Sequence, residues 1–272
     1  MASIDAYIDG LISRGRACFS RAEAEAALGS SAGALSAALA RAIRRRRLAR
    51  PRRDFFLVIR PEHWNIGGPD PVEWIDPLMR HQRIDYRVSL LRAAAFHGSS
   101  HQASMVFQVV VPRQLRAIEL GRHRVQFVFQ SPSAFAQTNR PEWLGRIKSD
   151  AGFARVAGIE LTLLDTVRYF RKAAGIGGAA QVVTDIGSKA SPSILRQAAE
   201  HYESTTARRL GYLLELAGHG RQARALDGAV RRTKSVVPLN PSVRPGRSRR
   251  RRAPEVDAQW KLLINDSPET VR

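Results

Sequence analysis

The chain has 272 residues, 44% of them hydrophobic, enough for two ordinary domains with real cores. A formal net charge of +20 calls for a polyanionic partner, and nucleic acid suits it better than a membrane, because no stretch approaches the roughly 20 apolar residues of a membrane span. The single cysteine, Cys18, excludes an internal disulfide and fits a reducing cytoplasm, and the first ten residues read as no secretory signal.

Apolar residues at Ile4, Tyr7, Ile8, Leu11 and Ile12 predict an amphipathic helix over residues 4–14, ended by Gly15. Cys18 is expected to pack where this helix meets the next turn. Ser20 with Glu23 three residues on forms a capping box, so a short helix should run to Leu28 and stop at Gly29. Ser30 or Ser31 caps the following helix, whose apolar face is Leu35, Leu39, Ala42 and Ile43. Its last turn is Arg44, Arg45, Arg46 and Arg47, and LARPRRDFFLVIR then reads as two short strands around a basic turn. Helix, tight turn, helix and ribbon describe a winged helix-turn-helix over residues 1–60, which lays its second helix in the DNA major groove. Cations also suit a plain helix C-terminus. Four consecutive arginines followed by Arg50, Arg52 and Arg53 exceed that need. Residues 1–60 hold twelve arginines, no lysine and five acids, a local charge of +7.

Residues 61–77 are rich in proline and glycine and are expected to form a linker or strap, with Trp64 and Trp74 anchoring it on apolar surface rather than stacking on bases. The rest, residues 78–272, reads as α+β. Residues 78–96 look helical in one or two pieces. Residues 105–111 and 123–130 look like strands, and residues 146–156 like a strand pair turning at Asp150–Gly152. Leu161, Leu164, Val167 and Phe170 predict a helix that Gly175, Gly177 and Gly178 break. Two or three further helices follow to about Val230, with Ser191 and Ser204 as caps. Residues 231–252 carry nine basic residues and no acid, including Arg249, Arg250, Arg251 and Arg252. This basic tail segment is expected to be an auxiliary, sequence-blind DNA contact, with a solvated loop of no consequence and a contact to an acidic face of a protein partner as the alternatives. Residues 259–265 are expected to return to the sheet of the second domain.

The sequence offers little to an enzyme. His97 and His101 are separated by Gly98, Ser99 and Ser100, too few ligands and no helix to align them, so no metal is expected. Gly175 to Ala180 matches a nucleotide-binding pattern by spelling, but it follows a helix and not a strand. No acid stands two residues before any of the five lysines, which excludes the acid–lysine cluster of one nuclease class. No Asp is followed two residues on by an acid, which excludes the two-metal site of a nucleotidyltransferase. No cofactor is expected.

Four segments carry a family resemblance: residues 14–29 with the wing ending in FFLVIRP (55–61), residues 85–111, residues 154–169 and residues 208–220. In these the chain resembles the AbiEi-type antitoxins of type IV toxin–antitoxin systems, regulators of abortive infection in phage defence. One departure is Asp54, where the family usually carries glycine before its aromatic pair. The resemblance implies a cytoplasmic, non-enzymatic transcriptional repressor. It would bind double-stranded DNA at promoter repeats of its own operon. It would also neutralise a cognate nucleotidyltransferase toxin, with or without direct contact. DNA contacts would come from the second helix and the wing: Ser31, Ser36, Arg41, Arg44, Arg45, Arg46, Arg47, Arg50, Arg52 and Arg53. Two alternatives stand beside this reading. One is a stand-alone winged-helix transcription factor with a ligand-sensing second domain. The other is a DNA-processing protein with a degenerate active site.

Overall fold

The structure, a computed structural model, describes residues 3–99, 106–149, 151–231, 233, 235–243 and 255–266. It divides into two compact units that interleave along the chain. The first comprises Met1–Val88, Met105–Ser131 and Arg146–Val156, and the second comprises Ser89–Ser104, Pro132–Gly145 and Ala157–Arg272.

The first unit opens with helix α1 (Ile4–Ser13), capped by Ser3, and strand β1 (Cys18–Ser20). The capping box is present as the sequence predicts. Ser20 accepts from the Glu23 N–H, and the Glu23 carboxylate accepts from the Ser20 N–H at 2.7 Å, which starts helix α2 (Arg21–Leu28). Gly29 stops it in the left-handed region, φ 58°. Ser31 caps helix α3 (Ala32–Arg44), which lies at 116° to α2. Strands β2 (Leu48–Arg52) and β3 (Phe55–Val58) form an antiparallel ribbon. β1 pairs with the other side of β3, giving the order β1-β3-β2. Ile8, Leu11, Phe19, Leu28, Leu35, Leu39, Leu48, Phe56 and Val58 form one core beneath these elements. Cys18 is buried within β1, and its desolvated thiol is pushed up to about 12.

Residues 61–77 are more structured than a linker. A 3-10 turn spans Pro61–His63, and helix α4 (Pro71–His81) begins at Pro71 and packs against β1 and β3. Trp74 is fully buried and its Nε1–H donates to the Pro69 carbonyl at 3.1 Å. Trp64 is not anchored: it is 66% exposed.

Strand β4 (Arg87–Val88) separates α4 from helix α5 (Leu90–Phe96). Strands β5 (Val106–Val111), β6 (Ile118–Leu120) and β7 (His123–Phe129) follow, then helix α6 (Pro132–Thr138) and strands β8 (Leu144–Ser149) and β9 (Gly152–Ala157). These strands form one mixed sheet in the order β6-β7-β5-β4-β9-β8. β5 runs parallel to β7, and β4 parallel to β9.

The second unit is mainly helical: α7 (Ile159–Arg168), α8 (Gly175–Ile186), α9 (Pro192–Ala199), α10 (Ser204–Leu216), α11 (Gly220–Arg224) and α12 (Asp227–Arg231). Ser191 is the N-cap of α9, whereas α10 has Glu203 there and Ser204 one position inside. The glycine run opens α8 rather than breaking a helix. Ala174 (φ 58°) and Gly175 (φ 80°) are both left-handed and turn the chain into it. A Cβ on Gly178 would stand 2.2 Å from the Ala173 carbonyl oxygen. The fully buried Asp165 accepts from the Ser89 and Tyr202 hydroxyls, each at 2.7 Å.

Strands β10 (Val237–Pro238), β11 (Glu255–Asp257) and β12 (Leu262–Ile264) close the chain in a separate sheet, order β10-β12-β11. The last strand therefore does not return to the six-stranded sheet as expected. Trp260 instead seats on Gly211 of α10 and donates from Nε1 to Glu215 at 2.7 Å.

Candidate nucleic-acid interface

The apolar face of α3 is spent on the core, so the opposite face is open. Gly33, Ser36, Ala37, Ala40, Arg41 and Arg44 are all exposed and recur at helical spacing. Ser31 is committed to capping, accepting from the Ala34 N–H at 3.3 Å. The Ser36 hydroxyl donates to the Ala32 carbonyl at 2.7 Å and accepts from the Arg21 guanidinium at 3.0 Å. Arg21, on α2, also reaches the Ala32 carbonyl and pairs with Glu25 at 2.8 Å. Sequence reasoning did not single it out. Its only local signal was the Arg21–Glu25 spacing of four.

The arginines fall into two groups. Arg41, Arg44, Arg46 and Arg50 are exposed and face no carboxylate in an ion pair among the described residues. Arg53, at the ribbon tip, has a side chain 95% exposed with Asp54 at 3.4 Å, and Arg45 stands 3.6 Å from Asp5. Arg47 and Arg52 are engaged within the fold. Arg47 bridges Asp5, at 2.9 Å, and Asp9, tying the end of α3 to α1. Arg52 donates to the Arg116 carbonyl and lies 5.7 Å from the centre of the Phe127 ring, and its burial lowers its pKa. Arg249 to Arg252, the expected auxiliary contact, lie outside the described residues.

Two left-handed residues shape the basic surface. Arg46 (φ 56°) ends α3 at the position glycine usually takes, with the Arg47 N–H bonded to the Ala42 carbonyl. Asp54 (φ 56°) turns the ribbon. Its short polar side chain tolerates that conformation better than most, so the ribbon keeps its turn without a glycine there. No group of three or more His, Cys, Asp or Glu among the described residues could hold a metal ion, and no single described helix is long and apolar enough to cross a membrane.

Helix α3 and the ribbon thus present a basic face in an α+β protein. Residues 87–216 match the family described as the AbiEi antitoxin C-terminal domain. Residues 87–216 thus carry the AbiEi antitoxin C-terminal domain, the antitoxin domain of a toxin–antitoxin system. Its fold is similar to the crystal structure of the RV2827C protein from Mycobacterium tuberculosis, with a TM-score of 0.61 over 94% of this chain and 89% of that one, at 17% identity. No curated protein sequence matches the chain.

Proposed function

We propose that the protein is a DNA-binding autorepressor as well as an antitoxin, and that residues 1–60 act as a winged helix-turn-helix. The observation that carries this reading is the pair α2 and α3 at 116°, followed at once by an arginine-bearing ribbon. α3 would enter the major groove with Ser36 and Arg41 toward base edges. Arg44, Arg45, Arg46, Arg50 and Arg53 would meet phosphates, where the guanidinium fork suits the oxygens. Arg47 and Arg52 would act mainly by holding α3 and the ribbon in place.

The antitoxin half of the reading rests on the family match. The partner would be a nucleotidyltransferase toxin, and the protein would act in the cytoplasm. The test is growth of cells expressing that toxin, together with binding of the full chain to its own promoter duplex. Rescue of growth and preference for the promoter over scrambled duplex are expected. Rescue without any duplex binding would contradict the repressor half, and binding without rescue would contradict the toxin assignment.

A further inference from the structure

Four tryptophans occur in the chain. Trp74 and Trp260 are fully buried, and Trp143 is 6% exposed. Trp64 is 66% exposed, the most exposed of the large hydrophobic side chains among the described residues. It lines an open groove of about 490 Å³ in the first unit, with Ile43, Leu48 and Ile59 as floor and Arg45 and Arg46 as the cationic edge.

The loop that bears Trp64 is fixed. The Trp64 N–H donates to the Pro61 carbonyl at 3.1 Å, and the Arg122 N–H to the Ile66 carbonyl at 2.8 Å. Gly67 packs so closely on Gly121 that a Cβ on Gly67 would stand 2.6 Å from the Gly121 Cα. The indole is therefore presented to solvent on a rigid platform. The exposed indole beside the cations of Arg45 and Arg46 suits a ligand that is both planar and anionic.

We propose that this groove stacks an unpaired nucleobase of a single nucleic-acid strand on Trp64, with Arg45 and Arg46 on the flanking phosphates. An indole face accepts any base, and arginine adds both charge and a second planar surface. The acids nearby do not neutralise this edge. Asp5 stands 3.6 Å from Arg45, which remains 65% exposed, and Glu62 faces Arg60 at 3.8 Å. Arg46 is kept in a left-handed conformation where glycine would be easier, consistent with a role for its side chain. The groove lies at the C-terminal end of α3, whereas a major-groove helix reads bases from its N-terminal part. The site is thus separate from the base-reading part of the proposed duplex contact, but it shares Arg45 and Arg46 with its phosphate contacts, so the two ligands would compete for these arginines.

Titration of the full chain with an oligothymidylate of about ten nucleotides, followed by tryptophan emission, tests the proposal. Emission should fall, because the exposed tryptophan meets the base while the buried ones do not. Trp64→Phe should abolish the fall yet keep most of the affinity. Trp64→Ala should weaken binding about tenfold. Arg46→Gly should lower the salt slope by about 0.7 without lowering the melting temperature, since glycine suits that backbone. Unchanged emission with wild-type protein, or equal affinity in Trp64→Ala, would overturn the proposal. Equal quenching by polyglutamate would assign the groove to an acidic protein partner instead. A matching loss of promoter-duplex affinity in Trp64→Ala would move Trp64 into the duplex interface and also overturn it.

Discussion

Asp54 and Glu23 each set a local geometry that the basic face depends on. Asp54 turns the ribbon at φ 56°, a region that β-branched residues enter only at a cost of about 1–3 kcal/mol. Urea unfolding should show Asp54→Gly as stable as wild type or slightly more so, and Asp54→Val less stable by about 1–2 kcal/mol. Burial disfavours the Glu23 carboxylate, but the Ser20 N–H and the Arg16 guanidinium outweigh that and hold it below its ordinary value of 4.5. A carboxyl depressed in the folded state stabilises fully above its unfolded pKa, and that contribution fades as pH falls through the folded value. Glu23→Gln should therefore lose stability less steeply than wild type below about pH 4.5. Equal acid profiles for the two proteins would contradict this account of the cap. The capping box was legible in the sequence because both partners sit within four residues of each other. The left-handed angle at Asp54 was not, because no residue type marks it the way glycine does.

At the scale of elements, α2, α3 and the ribbon could be read from period and caps alone. β1 could not. Three residues carry no period, and their partner is β3, at the far end of the same region. Arg47 and Arg52 show the same limit within the candidate site. In the sequence they belong to an arginine run, and only the fold brings Arg47 to Asp5 and Asp9 and Arg52 to Phe127. This separation makes a prediction about α3. Arg47→Ala should cost about 0.5–1 kcal/mol of stability, because its two ion pairs are partly exposed. Its effect on the salt slope of duplex binding should be smaller than that of Arg44→Ala. Chemical denaturation and salt-dependent binding on the same two proteins check this, and a larger slope change for Arg47→Ala would return it to the phosphate contacts. The glycine run at the start of α8 was misjudged for a related reason. Glycine can stop a helix or admit the left-handed turn that starts one, and its spelling does not say which.

The whole molecule departs furthest from what composition suggests. Proline and glycine over residues 61–77 look like a boundary between domains, yet that stretch packs inside the first unit through Trp74 and α4. The two units interleave because strands distant in sequence share the six-stranded sheet, a pairing that no local pattern encodes. The antitoxin family could be recognised from segments spread along the chain, and the match over residues 87–216 agrees with it. The central claim is that the basic helix and ribbon bind duplex DNA. The measurement that tests it most directly is the affinity of the full chain for its promoter duplex across salt concentration, beside Arg41→Gln/Arg44→Gln. The five proposed phosphate contacts predict a slope of log K against log salt of about −4.5, flattened by about 1 in the double variant, which removes Arg44 from them. An affinity that ignores salt, or a double variant indistinguishable from wild type, would contradict the account.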